Sequence, residues 1–467
     1  MKRKIYSVVL SAVIACGILL SGCDGLSGGY VKISSLDDLY AMASNKSYEL
    51  TCDLDLNGGE WYPLAVKNFN GNGYTIKNGY IIETTENQSS GFFTSVNTLE
   101  NVVFDNIQVN VTFSDDSQGT YNGGIIAGEA KTVDCVTITG SKGFFTASVD
   151  NSSSANSVNC GVIAGYVGGK ISNSRVENCE LKCTRIYSKL NVGGIAGEVF
   201  SNQSEKVTDN VAENSKIYAD ADTLNCGGII GCLNQGAGKT SGCVSKNNVI
   251  ELKVYPEYTA SRYDSCAGGV IGLAAEKNVV ENCVGGNNVI TLSRKSRNQT
   301  LFTDEGGYRV GGIIGKSAGN VSDCLSEYND ISCKSESTST KQFARIGGLC
   351  GSATATISRS VSLRNTIAET NNTAGASSMF SAGFVAKTTA TVTDCAVYNN
   401  TINGKNRDVF TDKAKDSLFN CYVACQNETV PDANSLPVLS SEQWNDIINV
   451  LSLGSKWYME NGVLNLR

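Results

Sequence analysis

The sequence predicts an all-β fold: a right-handed parallel β-helix, a solenoid of about nine or ten coils, with small α/β caps at both ends. Three observations predict it. A glycine-bounded apolar run recurs along most of the chain, and a second set of residues follows each run at constant offsets. The composition, with 49 glycines, 4 prolines and 18% charged residues among 467, is turn-rich and lacks the high net charge of a disordered chain.

The glycine anchors are Gly124-Ile125-Ile126-Ala127-Gly128, Gly161-Val162-Ile163-Ala164-Gly165, Gly194-Ile195-Ala196-Gly197 and Gly228-Ile229-Ile230-Gly231. They continue as Gly269-Val270-Ile271-Gly272, Gly312-Ile313-Ile314-Gly315, Gly348-Leu349-Cys350-Gly351 and a degraded Gly383-Phe384-Val385-Ala386. Successive anchors lie 33 to 43 residues apart, a spacing typical of repeat architectures. An apolar residue, then Asp or Asn, then Cys follows, as in Val280-Glu281-Asn282-Cys283, Val321-Ser322-Asp323-Cys324 and Val392-Thr393-Asp394-Cys395. Five residues past the cysteine position stands Asn, and seven past it Ile: Asn248 and Ile250, Asn288 and Ile290, Asn329 and Ile331, Asn365 and Ile367, Asn400 and Ile402.

These apolar pieces are short, β-branched and broken by Gly and Asn, so they read as strands. Asn and Asp tolerate left-handed turns, and glycine permits close backbone approach. One coil cannot bury its inner face without neighbours. Each repeat is therefore one rung, with like residues stacked in ladders. A β-propeller blade has a similar length, but a single Gly-anchored rung per repeat fits the solenoid better.

The elements follow in order. Residues 1–22 read as a signal peptide, with Lys2, Arg3 and Lys4 ahead of an apolar stretch over 6–20. Leu20-Ser21-Gly22-Cys23 resembles a bacterial lipobox, so 23–33 are expected to hold a lipidated Cys23 and a short tether to a membrane. Residues 34–90 form the N-terminal cap and first coil. They open with the capping-box pattern Ser35-Leu36-Asp37-Asp38-Leu39-Tyr40, and the first coil begins near Phe69-Asn70-Gly71-Asn72-Gly73. Repeats occupy 91–425. The C-terminal cap, 426–467, is expected to hold a helix over 440–451 and a closing hairpin. Trp61, Trp444 and Trp457 lie outside the repeats, as residues covering exposed column ends would.

The anchors, followed by the Asn-Cys segment, resemble the GLUG motif of large bacterial surface and secreted proteins. Gly348-Leu349-Cys350-Gly351 matches it literally, while Ala127, Ala164 and Ala386 depart from it. The resemblance spans about residues 34–467. It implies a scaffold of the kind found within adhesins and carries no catalytic residue.

Histidine is absent, which removes His-based acid–base and nucleophile chemistry and imidazole-dependent zinc sites. Taking the three positive charges of residues 1–22 from a net −7 leaves −10, which argues against nucleic acid as a partner. Asp134, Asp209, Asp323 and Asp394 exchange with Asn173, Asn282 and Asn420, which is turn geometry before catalysis. No catalytic residue, cofactor or metal site is assigned, and the chain reads as a non-enzyme. Cys135, Cys243, Cys283, Cys324 and Cys395 are assigned to one repeat position, shared with Ser174, Asn210 and Ser360, as an interior ladder of free thiols. A disulfide suits irregular cysteines better, Cys226 with Cys266 for instance, but none is assigned.

Variable segments between each Ile and the next anchor share one edge of the column. Tyr255, Tyr258, Arg262 and Tyr263 in one rung, with Arg294, Arg297, Phe302, Tyr308 and Arg309 in the next, form a candidate binding edge. The expectation is a membrane-anchored lipoprotein of the cell envelope, exposed at the surface and displaying this edge for adhesion to a glycan or protein. The alternatives are a purely structural spacer and a polysaccharide lyase or hydrolase of β-helix type.

Overall fold

The computed structural model describes residues 29–114, 119–147, 157–200, 205–234, 236, 238–255, 264–294, 307–335, 344–371, 379–404, 407–412, 417–424, 436–460 and 463–466. Among them 47 strands join one continuous sheet, and a separate antiparallel pair, Trp457–Glu460 with Val463–Leu466, lies near the C-terminus. The large sheet winds as a parallel β-helix, as the repeats predict.

One coil illustrates the winding. Ile271–Ala274, Val279–Glu281, Val284–Gly286, Val289–Arg294 and Tyr308–Gly311 follow one another round the column. Each pairs in parallel with its equivalent one repeat on: Ile314–Ser317, Asn320–Ser322, Leu325–Glu327, Asp330–Ser335 and Ala344–Gly347. Strand alternation sends Ile290 and Leu292 into the core and Thr291 and Ser293 outward. Ile250, Ile290, Ile331 and Ile367 stack in register, all fully buried. Burying each such side chain is worth about 1.5–3 kcal/mol, so the row binds rung to rung.

Two left-handed residues turn each coil, such as Asn282 and Asn287 or Asp209 and Asn214. The residue after each turn points inward and stacks. After the second turn stand Asn248, Asn288, Asn329 and Asn365. The main-chain N–H of each of the first three donates to Oδ1 of the next at 2.8–3.0 Å. After the first turn stand Ser174, Asn210, Cys243, Cys283, Cys324, Ser360, Cys395 and Cys421, all buried. The predicted Asn and thiol ladders are therefore present.

Two members of the expected ladders are displaced by one residue. Val133 pairs with Ile171 and Asp134 with Ser172, so Cys135 takes the left-handed corner held by Asn173 in the next rung. Val136 fills the inward place instead. The Cys226–Cys266 suggestion also fails, because Asn225 pairs with Cys266 and Cys226 with Ala267. Their thiols face opposite sides of the sheet, and both are free.

The anchor motif forms an arch. Tyr308–Gly311 and Ile314–Ser317 lie on either side of it. A Cβ on Gly311 would strike the Ile314 carbonyl oxygen, and one on Gly315 would press on the Ala267 nitrogen. The two strands meet at backbone contact, an approach suited to glycine. Ala382 and Ala386 occupy these places near the end of the column.

Helices stand at both capping signals, while the first strand, Tyr30–Ile33, lies in the stretch expected as a tether. Ser35 Oγ accepts from Asp38 N–H at 3.1 Å at the head of helix Leu36–Tyr40. Tyr30–Ile33 pairs with Ser47–Leu50, which pairs with Leu64–Asn70, so the cap strands are already rungs. Ser440 forms a complete capping box with Gln443 ahead of helix Ser441–Asn445. The position of the C-terminal tryptophans differs from expectation. Trp444, Ile447, Leu451 and Trp457 pack against Val284, Leu325, Val361 and Tyr398 on the outer side of the column. Trp444 stacks 4.1 Å from Tyr398. These residues cover a flank rather than only an end, because the three-residue strands there carry apolar side chains such as Val284, Leu325, Val361 and Tyr398 on their outer face.

Candidate binding groove

The described members of the expected Tyr/Arg edge are built into the wall. Tyr258, Arg262, Tyr263, Arg297 and Phe302 lie outside the described residues. Tyr255 is half-buried, its N–H donating to Ala221 O at 3.0 Å. Arg294 is only 1% exposed, because it continues the inward row of Ile290 and Leu292. Tyr308 packs half-buried against the core, and burial pushes its phenol up. Arg309 contacts Asp264 at 3.0 Å, and Lys316 reaches the same carboxylate at 2.6 Å.

An open groove lies elsewhere, on the outer face of the sheet made by Thr75–Thr85, Gln108–Phe113, Lys142–Ala147, Glu180–Gly193, Lys216–Gly227 and Val249–Val254. Two adjoining hollows, of about 800 and 930 Å³, share Asn110, Phe144, Glu180 and Lys182. Period-two alternation fills the core from one face of these strands and leaves the other face as the groove floor.

Register pairing arranges the outward side chains in rows. One row reads Tyr80, Gln108, Lys142, Glu180 and Lys216. The middle row reads Ile82, Asn110, Phe144, Lys182, Tyr218 and Glu251. A third carries Thr84, Thr112, Thr146 and Thr184, with the Thr112 and Thr146 hydroxyls 2.9 Å apart. Ile82 is 66% exposed, and Lys182 Nζ sits 5.4 Å from the centre of the Phe144 ring. At the rim, Asn106 Nδ2 donates to Asn78 Oδ1, and Asn78 Nδ2 to Asp55 Oδ1, both at 2.9 Å. These two hydrogen bonds order the amides beside the groove.

Such a surface can hold an extended ligand by stacking and hydrogen bonding. Among the described residues no group of three His, Cys, Asp or Glu could hold a metal ion. The interior thiols are not poised as nucleophiles, since burial pushes Cys179 up to about 11 and Cys333 up to about 12. The sequence carried a signal for the groove that the repeat reading passed over. Tyr80, Phe144 and Tyr218 each adjoin an inward residue (Ile81, Phe145 and Ile217) and so must face out.

No family model, curated protein or solved structure matches the chain. No helix among the described residues is long and apolar enough to cross a membrane.

Proposed function

We propose that this chain is a non-catalytic binding scaffold of the cell envelope, anchored by lipid on Cys23 and holding an extended glycan or protein ligand against its column. The groove across six consecutive strands carries this reading, because it gathers aromatic, amide and hydroxyl groups on one rigid face. The lipobox-like Leu20-Ser21-Gly22-Cys23 and the GLUG-like repeats support the location.

The test is retention of the mature protein on a panel of glycans and host-matrix proteins, with the chain length of each glycan read afterwards. Retention without shortening is expected. Shortening of any glycan would make the protein an enzyme, and the absence of all retention would leave a structural spacer.

A further inference from the structure

We infer that the groove takes an uncharged, unbranched, β-linked polysaccharide lying along the column axis and gripped once for every two sugars, an inference that rests on the binding-scaffold reading above. The middle row carries it. Apolar or aromatic surface returns there at every second rung, as Ile82, Phe144 and Tyr218, while Asn110 and Lys182 stand between them. Neighbouring strands lie about 4.8 Å apart, so these platforms follow one another at about 10 Å.

Successive rings of an extended, equatorially linked pyranose chain are turned over. The same face therefore returns every second sugar, at a distance close to that platform spacing. The C–H face of a ring suits flat apolar or aromatic surface, and the intervening amide and ammonium groups can donate to hydroxyls. The Thr112–Thr146 hydroxyl pair and the Asn78–Asn106 amide pair add neutral partners along the sides. Charges on the floor alternate in sign across paired strands, Lys142 beside Glu180 and Asp220 beside Lys253. Such a pattern gives no sustained field for a polyanion or a polycation.

The experiment is calorimetric titration of the full lipidated protein in detergent micelles. The probes are β-linked glucose and N-acetylglucosamine oligomers of increasing length, a uronate series and an extended peptide. For a neutral series, Kd is expected to fall in steps with each added pair of sugars and to level off once the oligomer spans Ile82 to Tyr218. Phe144→Ala and Tyr218→Ala should each weaken binding by about tenfold. Thr291→Ala, on the same face beyond the hollows, should leave binding unchanged. Tighter binding of uronates or peptide, or affinity that rises smoothly with length, overturns the inference. Glycan binding that survives both aromatic substitutions removes the groove but keeps the scaffold reading. If none of these probes and none of the glycan and protein panel is bound, both fall.

Discussion

Asn329→Ala tests whether the buried amide ladder holds the rungs in register. Asn329 Oδ1 accepts from the Asn288 N–H at 2.9 Å, and its Nδ2 donates to the Gly285 carbonyl at 2.8 Å. The side chain is fully enclosed, so alanine leaves one backbone donor and one acceptor buried without those partners. Each such loss costs about 1–3 kcal/mol, and the pair together about 2–6 kcal/mol. Urea denaturation reads the total. Solenoid stability sums over neighbouring rungs, so hydrogen exchange at the Asn288 amide reads the local part. Thr291→Ala, on the outward face of the same coil, should stay within about 0.5 kcal/mol of the parent. A loss under about 1 kcal/mol in Asn329→Ala, with the Asn288 amide still protected, would refute the ladder as a source of stability.

Three further outcomes can be measured, two from the geometry and one from the sequence before Cys23. Gly311→Val should abolish cooperative folding as followed by circular dichroism, because the added carbons meet the Ile314 carbonyl; a folded variant would mean the arch is looser than backbone contact. Burial lifts the Cys179 thiol from 9.0 to about 11, so its contribution to stability is complete below pH 9 and is lost as pH rises through 11. Cys179→Ser, placing a hydroxyl where neighbouring rungs have Ser141 and Ser215, should therefore lose less stability than the parent over that interval in pH-dependent melts. Cys23→Ala should move the protein from the membrane fraction to the soluble fraction on cell fractionation; unchanged partitioning would remove the lipid anchor.

The winding of the chain was legible because its physics is local and repeated. Left-handed corners favour Asn, Asp or Gly, although Tyr328, Arg359 and Arg364 also take them, the arch favours glycine, and the core rows call for Ile and Val, all at fixed offsets. Where sequence reading slipped, a single residue decided. Cys135 follows Asp134 in a pattern that looks like the later Asp-Cys pairs, yet strand pairing places it on the corner and Val136 inside. Arg294 looks like a loop residue by charge. Alternation from Ile290 turns it inward, and charge alone cannot report that parity. The flank covered by Trp444 was hidden for another reason: it depends on a fold-back of the C-terminal segment that no repeat encodes.

The groove follows from a division of labour between the two faces of each strand. Inward positions are held to type by stacking, so Ile250, Ile290, Ile331 and Ile367 stay isoleucine from rung to rung. Outward positions of the same strands carry no such demand, and they pass through Tyr218, Glu251, Thr291 and Ser332 in successive rungs. A ligand-specific row can be written on that face without disturbing the column. The same freedom makes substitutions at Phe144 and Tyr218 informative, since both side chains lie outside the core that holds the rungs together. Loss of binding in those variants would then report on the ligand rather than on the fold.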